Sequence, residues 1–397
     1  MLRTLAFSRD LTELGWQVTV LTSALVGQES QDSKNQQLIP DGVKVIRTYA
    51  LDSASAFSIR GRYPDLFEWP DRYISWAISA TISGYVHIKR HATDIIFSTY
   101  PIASAHLAAY WLAKSTRKPW IADFRDPMLM KDHPDTKLRR RAHKWVEQRT
   151  IKQCTKAVVT NDNAKQHYIG KYPEKNPLDF HVIENGYDEA LFDNALDGQH
   201  HESLSVSANQ IKILHSGTMY PNHRDPRYLF EALKKIAPKL SDTGKSLEVV
   251  LRATGYDEYY ASLIAQYGLG EHVKLAEPVG YVESLKEMLN SDLLLLIQGE
   301  SCNDQIPAKL YEYLRSGRPI LALTHPDGAT ARKLKGIEGA YVVDNDSDAS
   351  IVSRLFEIFN TLENTDGHLV SRNDAQLGRW SRRRGSSELD AILRQIQ

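Results

Sequence analysis

Three stretches in the second half of this 397-residue chain set chemically useful side chains just past runs of apolar, strand-forming residues. In ESCNDQIPAKLYEYLRSGRPILAL, residues 300–323, Pro307 suits a first helical turn. Lys309 and Glu312 then fall three apart on one helical face, Arg315 lies a turn further on, and Gly317 stops the helix. A carboxylate near ribose hydroxyls and an ammonium near a diphosphate would divide the work of holding a nucleotide. The plain alternative is a surface ion pair between Lys309 and Glu312, which is worth little. In HSGTMYPNHRDP, residues 215–226, Gly217 closes a strand, Thr218 supplies a hydroxyl, and Arg224 brings a guanidinium to the start of a helix. That set suits a diphosphate cradle. Its alternative is a connecting loop with an exposed Arg224 and Asp225 as helix cap. In LRATGYDE, residues 251–258, Arg252 and Thr254 stand at another strand end, against the alternative that Gly255 merely supplies a permissive turn.

Ligands bind beyond the carboxyl ends of parallel strands, so these residues need a parallel sheet behind them. The chain provides the pattern. QVTVLT (17–22), VKVIRT (43–48), DIIFST (94–99), PWIADF (119–124), KAVVT (156–160) and FHVI (180–183) are short, β-branched and apolar, with helical segments between most of them. Such runs suit strands buried on both faces and joined by crossover helices. The alternation restarts with IKILHSG (211–217), LEVVLRA (247–253), VKLAE (273–277), DLLLLIQ (292–298), PILAL (319–323) and AYVV (340–343). Between the two series, residues 192–209 are polar and without apolar period, which reads as a linker. The expected division is an α/β domain over 1–191, the linker 192–209, a second α/β domain over 210–370, and a helical segment 371–397 crossing back toward the first domain. In that last segment Trp380, Leu389, Ile392, Leu393 and Ile396 are spaced to make one apolar face.

Composition narrows the function. Lys and Arg number 49 and so do Asp and Glu, which removes any overall field toward nucleic acid. Cys154 and Cys302 are the only cysteines and share no metal-ligand spacing, so a disulfide framework and a structural zinc site are not expected. No apolar run approaches the ~20 residues that cross a bilayer. A cytoplasmic protein is expected. GxGxxG after a strand and GxxxxGK[ST] are both absent, so dinucleotide and P-loop chemistry have no support.

With P-x-K-x-x-E-Y and S-G-R-P set between two strands, and Asp304 eight residues before Glu312, the segment resembles the donor-binding part of family 4 retaining glycosyltransferases of the GT-B fold. Asp304 stands where that family's two-glutamate signature has its first Glu. GWQVTVLT, ADFRDP (122–127), ENGYD (184–188) and SGTMYPNHRDP (216–226) extend the resemblance over nearly the whole chain. It implies two Rossmann-like domains facing across a cleft. It also implies transfer of a sugar from a nucleoside diphosphate to a glycan or polyprenyl-linked acceptor with retention of configuration, without cofactor or metal. Carried over, Glu312 holds the nucleotide ribose and Asp304 approaches the donor sugar. Gly217, Thr218, Arg224, Arg252 and Lys309 complete the donor site. Thr218 occupies the place of a frequent Arg, so Arg224 and Lys309 share the diphosphate charge.

In the first domain Arg125 stands where many relatives carry an active-site His, flanked by Asp123 and Asp126; a structural Arg125–Asp126 clamp is the alternative. His106 in STYPIASAH is a second acceptor-side candidate with Asp123, against the reading of an ordinary helix histidine. Relatives open with a strand and a Gly-rich loop, whereas this sequence opens on an amphipathic helix. The expectation is a first domain lacking its first strand, with a gap or an unpaired edge in the sheet. That raises the alternative of a non-catalytic or truncated GT-B protein that binds nucleotide sugar or a partner; another GT-B enzyme, such as a nucleotide-sugar epimerase, is a separate alternative. KLRRRAHK (137–144) and LFEWPDRYISW (66–76) pair basic and aromatic residues, which suits the cytoplasmic face of an anionic membrane; a solvated helix face is the alternative.

Overall fold

A computed structural model describes residues 2–25, 39–53, 69–130, 134, 136–196, 209–364 and 374–397. The chain divides into two compact units, Met1–Asn185 with Arg382–Gln397, and Gly186–Ser381.

The first unit carries six strands: β1 (Thr19–Leu25), β2 (Lys44–Ala50), β3 (Ile96–Tyr100), β4 (Trp120–Phe124), β5 (Lys156–Val159) and β6 (Phe180–Val182). All pairings are parallel. β4 is buried from end to end, which is why its neighbours alternate between two apolar layers. Trp120, Ala122 and Phe124 face a layer holding the Ala103–Thr116 helix, while Ile121 packs with Val158, Ile183, Phe7 and Leu11 on the other side. The second layer is completed by Leu389, Ile392 and Leu393 of the Arg382–Ile396 helix, which lies along the Leu2–Glu13 helix. Ser386 donates to Asp10 at 2.7 Å, and the Trp16 indole donates to Asp390 at 2.7 Å.

β1 and β2 pair only with each other, and β3 through β6 form a separate four-stranded sheet. Leu21 and Val18 nevertheless pack into the same two apolar layers as β3 and β4. Among the described residues, β1 has no strand on the side away from β2, and β3 has none on the side away from β4.

The second unit is a single six-stranded parallel sheet in the order β12-β11-β10-β7-β8-β9. Its strands are β7 (Gln210–Ser216), β8 (Ser246–Arg252), β9 (Val273–Ala276), β10 (Leu293–Ile297), β11 (Ile320–Leu323) and β12 (Ala340–Val343). β10 and β11 are fully buried leucine- and isoleucine-rich runs with cores on both faces. Among the described residues, all twelve strands overlap the runs read from the sequence.

The division between units falls at Asn185, ahead of the polar stretch 192–209, because the Glu189–Leu196 helix belongs to the second unit. Phe192 and Ala195 are fully buried there among Leu285, Met288 and Leu310. Arg315 pairs with Glu189 at 2.8 Å and lies over the rings of Tyr187 and Phe192. Residues 197–208 of the expected linker and 365–373 before the last helices lie outside the described residues. Trp380 packs in the second unit beside Tyr311, so the apolar face expected to include it begins only at Leu389.

Candidate functional site

β7 and β10 are adjacent and parallel, so their carboxyl ends deliver two loops to one edge of the second unit. Gly217 follows β7 with φ at +104°, a conformation open to glycine and strained for any side chain. Lys309 opens the Lys309–Ser316 helix and reaches back to that glycine; a Cβ built on Gly217 would lie 3.3 Å from Nζ. The same amine is 3.1 Å from Nε2 of His215. Lys309 as a residue keeps some solvent exposure. Packing around its amine, with Arg224 close by, nonetheless holds its pKa well below the ordinary lysine value, and Glu312 offsets part of that effect. One turn on, Glu312 is buried and accepts a hydrogen bond from the Tyr281 hydroxyl at 2.5 Å. The spacing read from the sequence is therefore realised: amine and carboxylate sit on one helix at the strand ends.

The two loops are stitched together. Gly299 N donates to His223 O at 2.6 Å, and a Cβ on Gly299 would come within 2.7 Å of that oxygen, so only glycine permits the approach. Gln298, buried at the end of β10, donates to Gln305 O at 2.9 Å and accepts from the Thr330 hydroxyl at 2.6 Å. Those bonds shape the loop that holds Asp304 exposed at its surface. Arg224 folds back to donate to the Thr218 carbonyl and lies over the Tyr220 ring, half-buried.

Arg252 is placed differently from the expectation of a ligand-facing cation. Its Nε and Nη2 donate to the two carboxylate oxygens of Glu287, each at 2.7 Å, and Nη1 donates to Glu277 O at 2.7 Å. This bidentate pair raises the guanidinium pKa and lowers that of Glu287. Arg252 thus clamps the turn after β9. Next to it Ala253 adopts φ +57°, and Thr254 is buried with its carbonyl accepting from Met219 N at 2.9 Å.

In the first unit the candidates separate into core and surface. Asp123 is enclosed on β4, gripped by Arg3 through Nε at 3.2 Å and Nη2 at 3.1 Å, and by the Thr99 hydroxyl at 2.9 Å. Arg3 also donates to the carbonyls of Ile183 and Glu184. His106 is completely buried, with Nδ1 2.8 Å from the Ser98 hydroxyl, which also accepts from the Trp120 indole. Burial pushes its pKa down to about 3, so the ring is neutral. Neither acceptor-side candidate faces solvent, because both lie in the layers that hold the sheet together. Arg125 and Asp126, just past β4, do: Asp126 is exposed and Arg125 half-exposed, with a buried Nε that has no hydrogen-bond partner.

Three participants were missed from the sequence. Tyr281 donates its hydroxyl to Glu312 and Tyr313 accepts from Ser216 N, bonds between distant residues that no local pattern shows. His215 had a signal: it continues the alternation of Ile211 and Ile213, where a buried apolar side chain would be expected.

The Glycosyltransferase Family 4 profile matches residues 3–191, and the Glycosyl transferases group 1 profile matches residues 210–360. The chain belongs to the family-4 type of glycosyltransferases. No curated protein matches it by sequence. A glycosyltransferase from Rickettsia africae is similar in structure, with a TM-score of 0.64 and 14% identity over 99% of this chain and 94% of its own. HepE of Anabaena, solved with UDP and glucose, gives 0.66 and 13% over 99% and 95%. The UDP-GlcNAc 2-epimerase from Neisseria meningitidis, bound to UDP-GlcNAc, gives 0.58 and 12% over 99% and 97%. At these identities the likeness establishes the fold. This glycosyltransferase is a GT-B enzyme that acts on nucleotide-sugar donors, built from two parallel-sheet α/β units. Among its described residues no helix is long and apolar enough to cross a membrane, and no cluster of His, Cys, Asp and Glu could hold a metal ion.

Proposed function

We propose that this glycosyltransferase moves a sugar from a nucleoside-diphosphate donor held at the β7 and β10 strand ends to a glycan or polyprenyl-linked acceptor, with retention of configuration. The observation that carries the reading is the amine of Lys309 beneath Gly217, one helical turn from the buried carboxylate of Glu312. In this reading Glu312 accepts from the ribose hydroxyls, Lys309 and Arg224 face the diphosphate, and Asp304 stands beside the sugar. As the sugar–phosphate bond breaks, negative charge accumulates on the leaving diphosphate, and cations already in place stabilise it without reorganisation. In the first unit, Arg125 and Asp126 are the candidates that keep solvent exposure.

Thermal shift with UDP-, GDP-, ADP- and dTDP-sugars, followed by turnover assays, tests this. The tightest donor should raise the melting temperature. Lys309→Ala, which removes a charge-assisted bond of about 1.5–3 kcal/mol, should weaken that donor roughly 10- to 100-fold. Glu312→Gln should also weaken it. Unchanged binding by both variants would sink the donor site. Release of free nucleotide only when acceptor is present marks a transferase. Isomerised donor without acceptor marks an epimerase, and binding without turnover marks a non-catalytic protein.

A second reading concerns where the enzyme works. On the Ile74–Arg90 helix, Ile78 and Ile82 are 51% and 62% exposed, and Tyr85 and Val86 continue the same face toward Lys89 and Arg90. The Lys137–Gln153 helix exposes Lys137, Arg140, Arg141 and Lys144, and its one acidic residue, Glu147, is buried. The Ala103–Thr116 helix packs against both. Apolar stripe and cations together fit the cytoplasmic surface of an anionic membrane, where a lipid-linked acceptor would be met.

A further inference from the structure

His215 lies wholly inside β7, yet both of its ring nitrogens are engaged. Nδ1 is 3.0 Å from Leu295 O and Nε2 is 3.1 Å from the Lys309 amine. A carbonyl oxygen only accepts, so the ring proton sits on Nδ1, and Nε2 presents its lone pair to Lys309, which donates. The Tyr313 hydroxyl donates to the same carbonyl at 3.4 Å and accepts from Ser216 N at 3.0 Å, which braces the strand end. Placing an imidazole in an apolar strand is costly unless its nitrogens are paired. Here the pairing aims Lys309 at Gly217.

The groups facing this amine set its charge. Enclosure and the Arg224 guanidinium disfavour the ammonium, Glu312 favours it, and the balance leaves the amine well below the usual lysine range. His215 is held neutral by burial, Lys309 and Arg224. Tyr313 is held protonated by its own burial. A diphosphate arriving at Gly217 would bring negative charge against the amine and reverse that balance.

We propose that His215 is the positioning residue for Lys309, and that the pair takes up one proton from solvent, onto the Lys309 amine, when the donor diphosphate binds. The proposal rests on the donor-site reading above. A ligand that selects the protonated form loses affinity as pH rises above the pKa of the free amine, and binding consumes a proton. No other bond changes.

The test is calorimetric titration with whichever of UDP, GDP, ADP or dTDP binds tightest, between pH 7 and 9. In that range a terminal phosphate, whose second pKa is about 6, stays fully ionised. Buffers of low and high protonation heat reveal the proton count. The wild-type enzyme should take up as much as one proton per nucleotide, with affinity falling by up to about tenfold per pH unit. His215→Phe keeps the ring and removes the acceptor, so its affinity should fall at lower pH, with roughly a tenfold loss at pH 8. His215→Gln, whose side-chain oxygen reaches the Nε2 position, should restore the wild-type profile. Lys309→Met should bind weakly and without proton uptake. A flat profile with no proton uptake in the wild type overturns the proposal, and that measurement stands even where His215→Phe does not fold. So does a His215→Phe profile equal to wild type, or a Gln variant as impaired as Phe. Absence of nucleotide binding by the wild type, or unaltered binding by Lys309→Met, overturns the donor site and the proposal together.

Discussion

At Gly217 two constraints coincide, a backbone angle of +104° and an amine 3.3 Å from where a Cβ would stand. Gly217→Ala should therefore cost on the order of 1–2 kcal/mol in stability, from the left-handed backbone, and weaken nucleotide binding by displacing Lys309. Melting curves with and without nucleotide check both effects, and wild-type affinity in this variant would show that the amine does not serve the ligand from beneath the glycine. His106 gives a different prediction. Its folded pKa of about 3 lies below the ordinary value of 6.5, so the unfolded chain binds more protons between those limits. The associated stability is fully present above pH 6.5 and is lost as pH falls toward 3, at about 1.4 kcal/mol per pH unit. Urea unfolding at pH 7 and pH 5.5 should show this loss shrinking in His106→Leu; His215, held low as well, leaves a residual slope of the same sign. An unchanged difference between the two pH values would refute the assignment. Lys309 and Glu312 were legible because a three-residue spacing on a helix fixes a shared face. Asp123 turns into the core, and position near a strand end does not reveal which way a side chain turns; buried His106 fits the alternative of an ordinary helix histidine. The partner of Asp123 is Arg3, 120 residues away.

Among the elements, strands were the most legible, since a short β-branched run such as LLLLI has few other ways to hide both faces. The surface was less legible. The aromatic stretch read at 66–76 lies partly outside the described residues; within it Trp76 packs against Ala77, Ala80 and Ala108. The exposed apolar stripe instead continues down the same helix through Ile78, Ile82, Tyr85 and Val86. Four apolar residues at helical spacing look like a core face in sequence, and only the structure shows them exposed. Flotation with vesicles containing anionic lipid should recover the enzyme, and Ile78→Ser with Ile82→Ser should reduce recovery several-fold. Lys137→Ala, Arg141→Ala and Lys144→Ala together should do the same, with a salt dependence that the serine variant keeps and the alanine variant loses. Recovery that ignores both sets of changes would count against a membrane role.

At the scale of the whole molecule, the first unit is made from two pieces of sequence with the second unit inserted between them. Composition pointed to 192–209 as the boundary because polar residues look like linkers; Phe192 and Ala195 place the preceding helix in the second core instead. Deleting residues 382–397 should uncover Phe7, Leu11, Ile121 and Ile183, and remove Leu389, Ile392 and Leu393 at about 1.5–3 kcal/mol each. The first unit should then unfold at much lower temperature while the second keeps its nucleotide-dependent transition. Loss of both transitions together would mean that the units are not separate in stability.

The same insertion sets an order of events while the chain is being made. Residues 2–13 emerge before the second unit, and the helix that covers Phe7 and Leu11 emerges only after it. The second unit, contiguous from 186 to 381, can complete its core in the interval. Until residues 382–396 arrive, the Leu2–Glu13 helix lacks the partner that covers Phe7 and Leu11, which leaves apolar surface bare on the nascent first unit.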